Sequence, residues 1–135
     1  MSGSQARFIA AVPGLATPPG YSYAASAAGE LVFFAGQVAL DAQGAMVGRD
    51  DFPAQVRQAF ANLGLALAAA GCTPASVLRV SYYVVGLTRD RLLAIRAVRN
   101  EFFGDPKPAA TLLGVAALFD PEALIEIEVI AARVS

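Results

Sequence analysis

The residues of this chain best suited to acid–base chemistry are two glutamates near its C-terminal end. Glu126 and Glu128 alternate with apolar residues in the segment Leu-Ile-Glu-Ile-Glu-Val-Ile at 124–130. In a β-strand this spacing puts both carboxylates on one face and the apolar side chains on the other. A carboxylate held in an apolar cleft has a raised pKa, which suits proton transfer near neutral pH. The alternative interpretation is a pair of ordinary polar side chains on the solvent face of a sheet.

The composition excludes several other kinds of site. The chain contains no histidine, which excludes His-based metal sites and Ser–His–Asp triads. Its single cysteine, Cys72, cannot form a disulfide within the chain and has no histidine to activate it. The net charge of -1 gives no electrostatic reason to bind nucleic acid or an anionic membrane, and it disfavours a ribonuclease. The sequence therefore predicts neither a metal nor an organic cofactor, and a small-molecule ligand rather than a nucleic-acid or membrane partner.

The chain is unusually apolar for its length. Apolar residues make up 56% of it, against roughly 45–50% in ordinary soluble domains, and charged residues only 16%. A single domain of 135 residues cannot bury that much apolar surface within itself, so we expect a subunit interface. The alternative is that abundant alanine inflates the fraction without adding much area. No stretch has the length of a membrane span and no apolar leader core is found, so we expect a cytoplasmic protein.

Two amphipathic helices and several strands must position any functional side chains. The first helix is predicted over 52–70 with Asp51 as its N-cap, and the second over 89–103 with Thr88 as its N-cap. Strands are predicted at 7–12, 21–27, 31–35 continued by 38–40, 77–85, 111–117 and 124–131. Each helix links two strands, so the economical fold is one α+β domain over 1–135 with both helices on one face of a sheet. Residues 1–20 form a lead-in strand and loop.

Several short motifs resemble, in order and spacing, those of the RidA/YjgF family. Each is weak alone, but together they cover residues 21–133 and are specific. The motifs are Tyr21-Ser22 with Gly29, Phe33-Phe-Ala-Gly-Gln37, Asn62-Leu63 with Leu67-Ala-Ala-Ala-Gly71, Phe102-Phe-Gly104, Pro108-Ala109 and Ile125-Glu-Ile-Glu-Val-Ile-Ala131. The resemblance implies a chorismate-mutase-like fold of the bacillus type, with a mixed sheet and two helices packed on one face. It also implies a homotrimer built around a barrel of sheets, with ligand clefts between subunits.

The resemblance implies a ligand-binding arginine that this chain lacks. Well-known family members hydrolyse reactive enamines and imines, and an arginine in a Pro-Ala-Arg-Ser motif binds the substrate carboxylate. Here the segment 108–111 reads Pro-Ala-Ala-Thr, so Ala110 stands in the arginine's place. Amino-acid-derived imines should therefore be poor substrates. Arg96, where the family often has asparagine, could supply the missing charge or could be a solvated helix residue. Arg99 could instead pair with an acidic group across a subunit boundary.

The other site residues also follow from the resemblance. Glu126 aligns with the glutamate that positions the attacking water, and Tyr21 with a tyrosine that lines the cleft. Thr111 could donate a hydroxyl and Gly36 could let a ligand approach the backbone, although a strand residue and a bulge are the alternatives. The remaining candidates for the cleft wall are Phe34 and Leu112. The predicted function is hydrolysis or tautomerisation of a small enamine, imine or carbonyl compound. The alternative is a non-catalytic trimer that binds a small metabolite.

Overall fold

Residues 6–133, which the computed structural model describes, form a four-stranded sheet with two helices packed on one face and a two-stranded ribbon beside it. The elements are β1 (Arg7–Ile9), β2 (Ala24–Ser26), β3 (Glu30–Phe33), α1 (Phe52–Ala69), a short 3-10 helix (Pro74–Ser76), β4 (Val77–Val85), α2 (Arg89–Phe103), β5 (Ala109–Val115) and β6 (Ile125–Arg133). Strands β1 and β2 pair with each other in the ribbon. No helix of this described part is both long and apolar enough to span a bilayer.

The main sheet has the strand order β3–β6–β4–β5. Strand β6 is antiparallel to both of its neighbours, whereas β4 and β5 are parallel and are joined through α2. Parallel neighbours need such a crossover, and the helix covers the sheet face that it crosses. The mixed sheet with two helices on one face agrees with the fold expected from the sequence.

The pairing register separates the side chains of the sheet into two faces. Tyr82 of β4 lies opposite Ile127 of β6, and both are buried under the helices. Tyr83 lies opposite Glu126, and Ser81 lies opposite Glu128, on the face that points away from the helices. The prediction that the two glutamates share one face is therefore confirmed by the register.

Both helices begin where the sequence predicted. The side chain of Asp51 accepts a hydrogen bond from the backbone N–H of Ala54 at 3.1 Å, and that of Thr88 accepts one from Arg91 at 3.2 Å. These bonds satisfy N–H groups that have no partner within the helix. Helix α1 ends one residue earlier than predicted, and Gly71 follows it with a φ of 73°, which favours glycine.

A buried glutamine that the sequence analysis did not single out ties α1 to the chain segment before β6. Gln55 has no exposed surface. Its amide nitrogen donates to the carbonyls of Gly48 at 3.1 Å and Glu122 at 2.9 Å, and its amide oxygen accepts from the N–H of Leu124 at 2.8 Å. One side chain therefore satisfies three backbone groups from two distant segments.

Strand boundaries are where the sequence prediction was wrong. The strands predicted at 7–12 and 21–27 shorten to Arg7–Ile9 and Ala24–Ser26, because only these residues pair with each other. The strand predicted at 111–117 occupies Ala109–Val115 instead, because the register with β4 begins at Ala109. Strand β6 extends to Arg133, two residues beyond its predicted end, because β3 continues the pairing there.

The predicted continuation of β3 over 38–40 is not a regular strand. Leu40 forms an isolated bridge with Met46 instead of joining the main sheet. The side-chain amide of Asn62 on α1 donates to the carbonyls of Val38 at 2.9 Å and Leu40 at 2.8 Å. A helix side chain therefore provides here the hydrogen bonds that a neighbouring strand would otherwise provide.

Candidate functional site

The carboxyl group of Glu126 lies against the backbone of Gly36. A Cβ atom on residue 36 would stand 2.7 Å from Cδ of Glu126, which is closer than real Cβ atoms approach other atoms. The next residue, Gln37, exchanges two backbone hydrogen bonds with Ile127, of 2.7 Å and 3.0 Å. These bonds hold the glycine segment against β6, so only the missing side chain at 36 leaves room for the carboxyl group. The structure thus brings two of the predicted site residues, Gly36 and Glu126, into contact.

The environment of Glu126 favours its protonated form. Burial raises the pKa of this half-buried carboxyl group, and the nearby charge of Glu128 raises it further. Glu128 itself accepts a hydrogen bond from the hydroxyl of Tyr83, and this bond is the main reason that the pKa of Tyr83 is raised. The two glutamates therefore differ: Glu128 is held by a tyrosine, whereas Glu126 packs against a glycine.

Two further predicted residues lie on this side of the molecule. The hydroxyl of Thr111 accepts a hydrogen bond from Nη2 of Arg79 at 2.8 Å, so it is already engaged. Phe34 and Arg79 both line a cavity of about 200 Å³ beside Glu128. This cavity is large enough for a few water molecules or a very small ligand. Thr111 therefore lies on the same face as the two glutamates, and Phe34 lines the cavity while also packing against the buried core.

Ala110 and Leu112 lie on the opposite face of the sheet. In the parallel pairing of β4 and β5, Ala110 is the partner of Val80 and Leu112 is the partner of Tyr82. All four side chains therefore point toward the helices, and the two β5 residues pack against the buried core. Within one protomer, a side chain at position 110 does not meet the carboxyl group of Glu126, although both were expected in one cleft.

Helix α2 places two arginines on the helix-covered face. Arg99 is only 7% exposed, and its guanidinium packs against Gly20, where an added Cβ would stand 2.5 Å from Cζ. Burial lowers the pKa of Arg99, Tyr82 opposes that effect, and Arg96 adds to it. Arg96 is half-buried, and its Nε atom is buried without a hydrogen-bond partner in the part of the chain that the structure describes.

Tyr82 completes this cluster of donor groups. It is 1% exposed, and its hydroxyl forms no hydrogen bond within residues 6–133. Burial strongly raises its pKa, and the nearby positive charge of Arg99 opposes that shift. Sequence analysis missed Tyr82 because an aromatic residue in the apolar alternation of a strand is normally core. A stronger signal was available in Arg99, a charged residue within the apolar stripe of α2.

Tyr21 directly follows Gly20, the residue that Arg99 contacts. Its ring packs edge-to-face with that of Tyr23 at a centroid distance of 5.6 Å. The next residue, Ser22, donates its hydroxyl to the carbonyl of Lys107 at 2.6 Å and its N–H to Pro108 at 3.1 Å. Tyr21 also lines an open surface cavity of about 920 Å³, together with Gly20. Tyr21 is therefore near Arg99 through its neighbour Gly20, which the guanidinium contacts.

Comparison with known proteins identifies the family. Residues 14–133 match the sequence model of the family described as endoribonuclease L-PSP. YjgH of Escherichia coli, a RutC family protein, is 40% identical over 111 residues, which are 80% of this chain and 79% of YjgH. The crystal structure of YyfB from Yersinia pestis, from the conserved Rid protein family, is 41% identical with a TM-score of 0.87, over 95% of this chain and 98% of that chain. The chain belongs to the RidA/YjgF family.

Membership of the RidA/YjgF family also settles the fold. Solved structures of this family have the chorismate-mutase-like fold, and the chain shares it. Members are generally enamine or imine deaminases or small-molecule-binding proteins. In this RidA/YjgF protein the predicted site residues fall into two groups on opposite faces of one sheet. The first group is Gly36, Glu126, Thr111 and Phe34, and the second is Tyr21, Arg96, Ala110 and Leu112.

Proposed function

We propose that this protein hydrolyses or tautomerises a small enamine, imine or carbonyl compound, with Glu126 as the proton-transfer group. The observation that carries the proposal is the contact of the Glu126 carboxyl group with Gly36, because it holds a half-buried carboxyl group against a backbone segment that is hydrogen-bonded to β6. The raised pKa of Glu126 brings its proton affinity closer to neutral pH, where a general acid–base group works best.

In imine hydrolysis, the Glu126 carboxylate removes a proton from water as the water oxygen bonds to the imine carbon. The electron pair of the C=N bond moves to nitrogen, which takes from Glu126 the proton that the carboxylate removed from water, and a carbinolamine results. The Glu126 carboxylate then removes the hydroxyl proton of the carbinolamine and passes it to the nitrogen as the C=O bond forms and the C–N bond breaks, so ammonia and a carbonyl compound leave and the carboxylate is regenerated. In tautomerisation the same carboxylate moves one proton between carbon and a heteroatom. Both schemes use one carboxyl group and need neither metal nor organic cofactor.

We propose that a homotrimer completes the site. Glu126 and Ala110 face opposite sides of the sheet, so only a second copy of the chain can bring the two groups of site residues together. Large apolar side chains are exposed on the protomer, with Phe33 at 71% and Leu31 at 53%. Apolar patches of this kind mark protein interfaces, which agrees with the apolar excess of the composition. We also propose that the protein is cytoplasmic.

The chain is not expected to be a typical imine deaminase, because Ala110 offers no charge where related proteins use an arginine. Losing a buried, charged hydrogen bond to a ligand costs roughly 2–5 kcal/mol of binding. The missing guanidinium favours a second candidate function, a non-catalytic trimer that binds a small metabolite. RNA cleavage is not proposed, because the net charge is -1 and histidine is absent.

The test is turnover by the wild-type protein and two variants, with ammonia release from 2-iminopropionate and from an imine without a carboxylate as the readouts. Glu126→Gln should lower the rate by about 10²- to 10⁴-fold, because it removes general acid–base catalysis. In Gly36→Ala, the added Cβ would clash with Oε2 as well as Cδ of Glu126, so the carboxyl group must move by more than about 1 Å. Such a displacement should cost roughly 10- to 100-fold.

Glu101→Gln is the matched control, because Glu101 is an exposed glutamate on α2. It should leave the rate unchanged. Unchanged turnover in Glu126→Gln contradicts the catalytic role. Saturable ligand binding without any turnover supports the second candidate. Turnover of 2-iminopropionate as fast as in arginine-bearing relatives contradicts the role assigned to the missing charge at position 110.

A further inference from the structure

We propose that Arg99, together with Tyr82 and Arg96, binds the anionic group of the ligand, so that α2 supplies the positive charge that β5 lacks. The inference deepens the proposed function, on which it rests for the existence of a small ligand. It names the ligand as a compound with a carboxylate or phosphate group. It assigns recognition of that group mainly to Arg99 instead of Arg96, the candidate that the sequence analysis had raised.

The first step is that the Arg99 guanidinium has no balancing charge. The ion pairs within residues 6–133 are Arg49–Glu122, Lys107–Asp105 and Arg133–Glu30, and none of them involves Arg96 or Arg99. Arg99 donates from Nε and Nη2 to the Oδ1 atom of Asn100, but both distances are 3.3 Å. Charge-assisted hydrogen bonds are usually about 2.7–2.9 Å long. A buried cation with such weak acceptors is unfavourable unless an anion joins it.

The second step is that the unsatisfied groups around Arg99 can all donate. The Tyr82 hydroxyl and Nε of Arg96 are buried and have no hydrogen-bond partner in the described part of the chain. A guanidinium presents parallel N–H groups that match the oxygens of a carboxylate or phosphate. A water molecule could satisfy a hydroxyl, but it could not balance two positive charges. We therefore expect a dianion to bind more tightly than a monoanion.

The third step is the location of the cluster. Ala110 and Leu112 pair with Val80 and Tyr82, so position 110 faces the same helix-covered side as the arginines. The guanidinium of Arg99, which extends from α2, fits on this face of the sheet because Gly20 has no side chain to displace it. The open cavity of about 920 Å³ is lined by Gly20 and Asn100, the two residues that contact the Arg99 guanidinium, so the cluster lies directly behind the cavity wall.

The experiment measures binding of oxalate, inorganic phosphate and pyruvate to the full-length protein by calorimetry. Arg99→Gln should weaken binding of oxalate and phosphate about 30-fold or more. Arg99→Lys should restore part of the affinity, because it keeps the charge but loses the two parallel donors. Arg89→Gln changes the net charge equally on an exposed part of the same helix, and should bind within about twofold of wild type. Comparison of phosphate with oxalate separates the two sources of anionic oxygen.

Three results would overturn the proposal. The first is a wild-type protein that binds none of the three anions at tens of millimolar, and the second is Arg99→Gln binding as tightly as wild type. The third is loss of binding only together with dissociation of the oligomer in light scattering, which would make an acidic group of a second copy the natural partner of Arg99. If Arg99→Gln does not fold, Tyr82→Phe provides the same test, because it should fold and bind oxalate several-fold more weakly.

Failure of the anion-binding proposal can be distinguished from failure of the proposed catalytic function. Glu126→Gln should still bind oxalate and lose that binding on Arg99→Gln, because it keeps the donor groups of Arg99, Arg96 and Tyr82 and removes only a negative charge. Arg99-dependent binding without turnover of any imine would support the anion site and contradict catalysis. Turnover that depends on Glu126 but is unchanged in Arg99→Gln would do the reverse.

Discussion

Replacing Tyr82 by phenylalanine should stabilise the ligand-free protein. The hydroxyl of Tyr82 is buried in a residue that is 1% exposed, and it has no hydrogen-bond partner within residues 6–133. Burying an unbonded hydroxyl costs about 1–3 kcal/mol, whereas the ring packing against Phe60, at a centroid distance of 6.2 Å, is kept. The free energy of unfolding should therefore rise by about 1–3 kcal/mol. At about 2.1 cal/mol/K of unfolding entropy per residue, the melting temperature should rise by roughly 4–10 °C.

The assay is urea denaturation followed by circular dichroism, at one fixed protomer concentration because association adds to apparent stability. Tyr83→Phe is the matched control, because the neighbouring tyrosine donates its hydroxyl to Glu128. That variant should lose about 0.5–1.5 kcal/mol. A Tyr82→Phe protein less stable than wild type would refute the reasoning, because it would show that the hydroxyl is bonded in the folded protein. The free energy of unfolding should therefore rise in Tyr82→Phe and fall in Tyr83→Phe.

Three other substitutions test the pKa, cap and buried-amide arguments. The pKa of Glu126 is raised in the folded protein, so its ionisation destabilises the fold as pH rises from about 4.3, the ordinary glutamate value, through the folded pKa. Glu126→Gln should therefore gain stability relative to wild type over that interval in urea melts at pH 3.5–8, and the exposed Glu101→Gln should not. Asp51→Ala should lose about 1 kcal/mol of unfolding free energy, and Asp51→Ser should retain most of it, since serine also caps helices. Gln55→Leu should lose at least about 3 kcal/mol in the same melts, because three buried backbone groups lose their partner; a loss below about 1 kcal/mol would contradict that role.

The elements with strong local signals were predictable from the sequence. Both N-caps and the span of Val77–Val85 agree with the structure, because capping residues and β-branched runs act within a few residues. The start of β5 was missed because Ala109 and Ala110 have little intrinsic preference for a strand. They join the sheet through pairing with β4, about 30 residues away, and local patterns do not encode that register.

The candidate site was predicted in part for the same reason. The shared face of Glu126 and Glu128 depends on alternation within one strand, and the sequence predicts it directly. The separation of Ala110 from Glu126 depends on the relative register of three strands, which a single sequence does not reveal. The depth of Arg99 depends on its contact with Gly20, from a loop about 80 residues earlier in the chain. Periodicity placed Arg99 in the apolar stripe of α2 but could not show what lay opposite.

The three hydrogen bonds of Gln55 make the position of Glu126 independent of the exposed loop that precedes β6. The N–H of Leu124 is hydrogen-bonded to Gln55 of α1 only two residues before Glu126. The position of the Glu126 carboxyl group is therefore fixed relative to α1. Upstream of this anchor the loop is exposed, and the side chain of Phe119 is 73% accessible to solvent. A change in the length or the side chains of this loop should therefore leave the position of Glu126 unchanged.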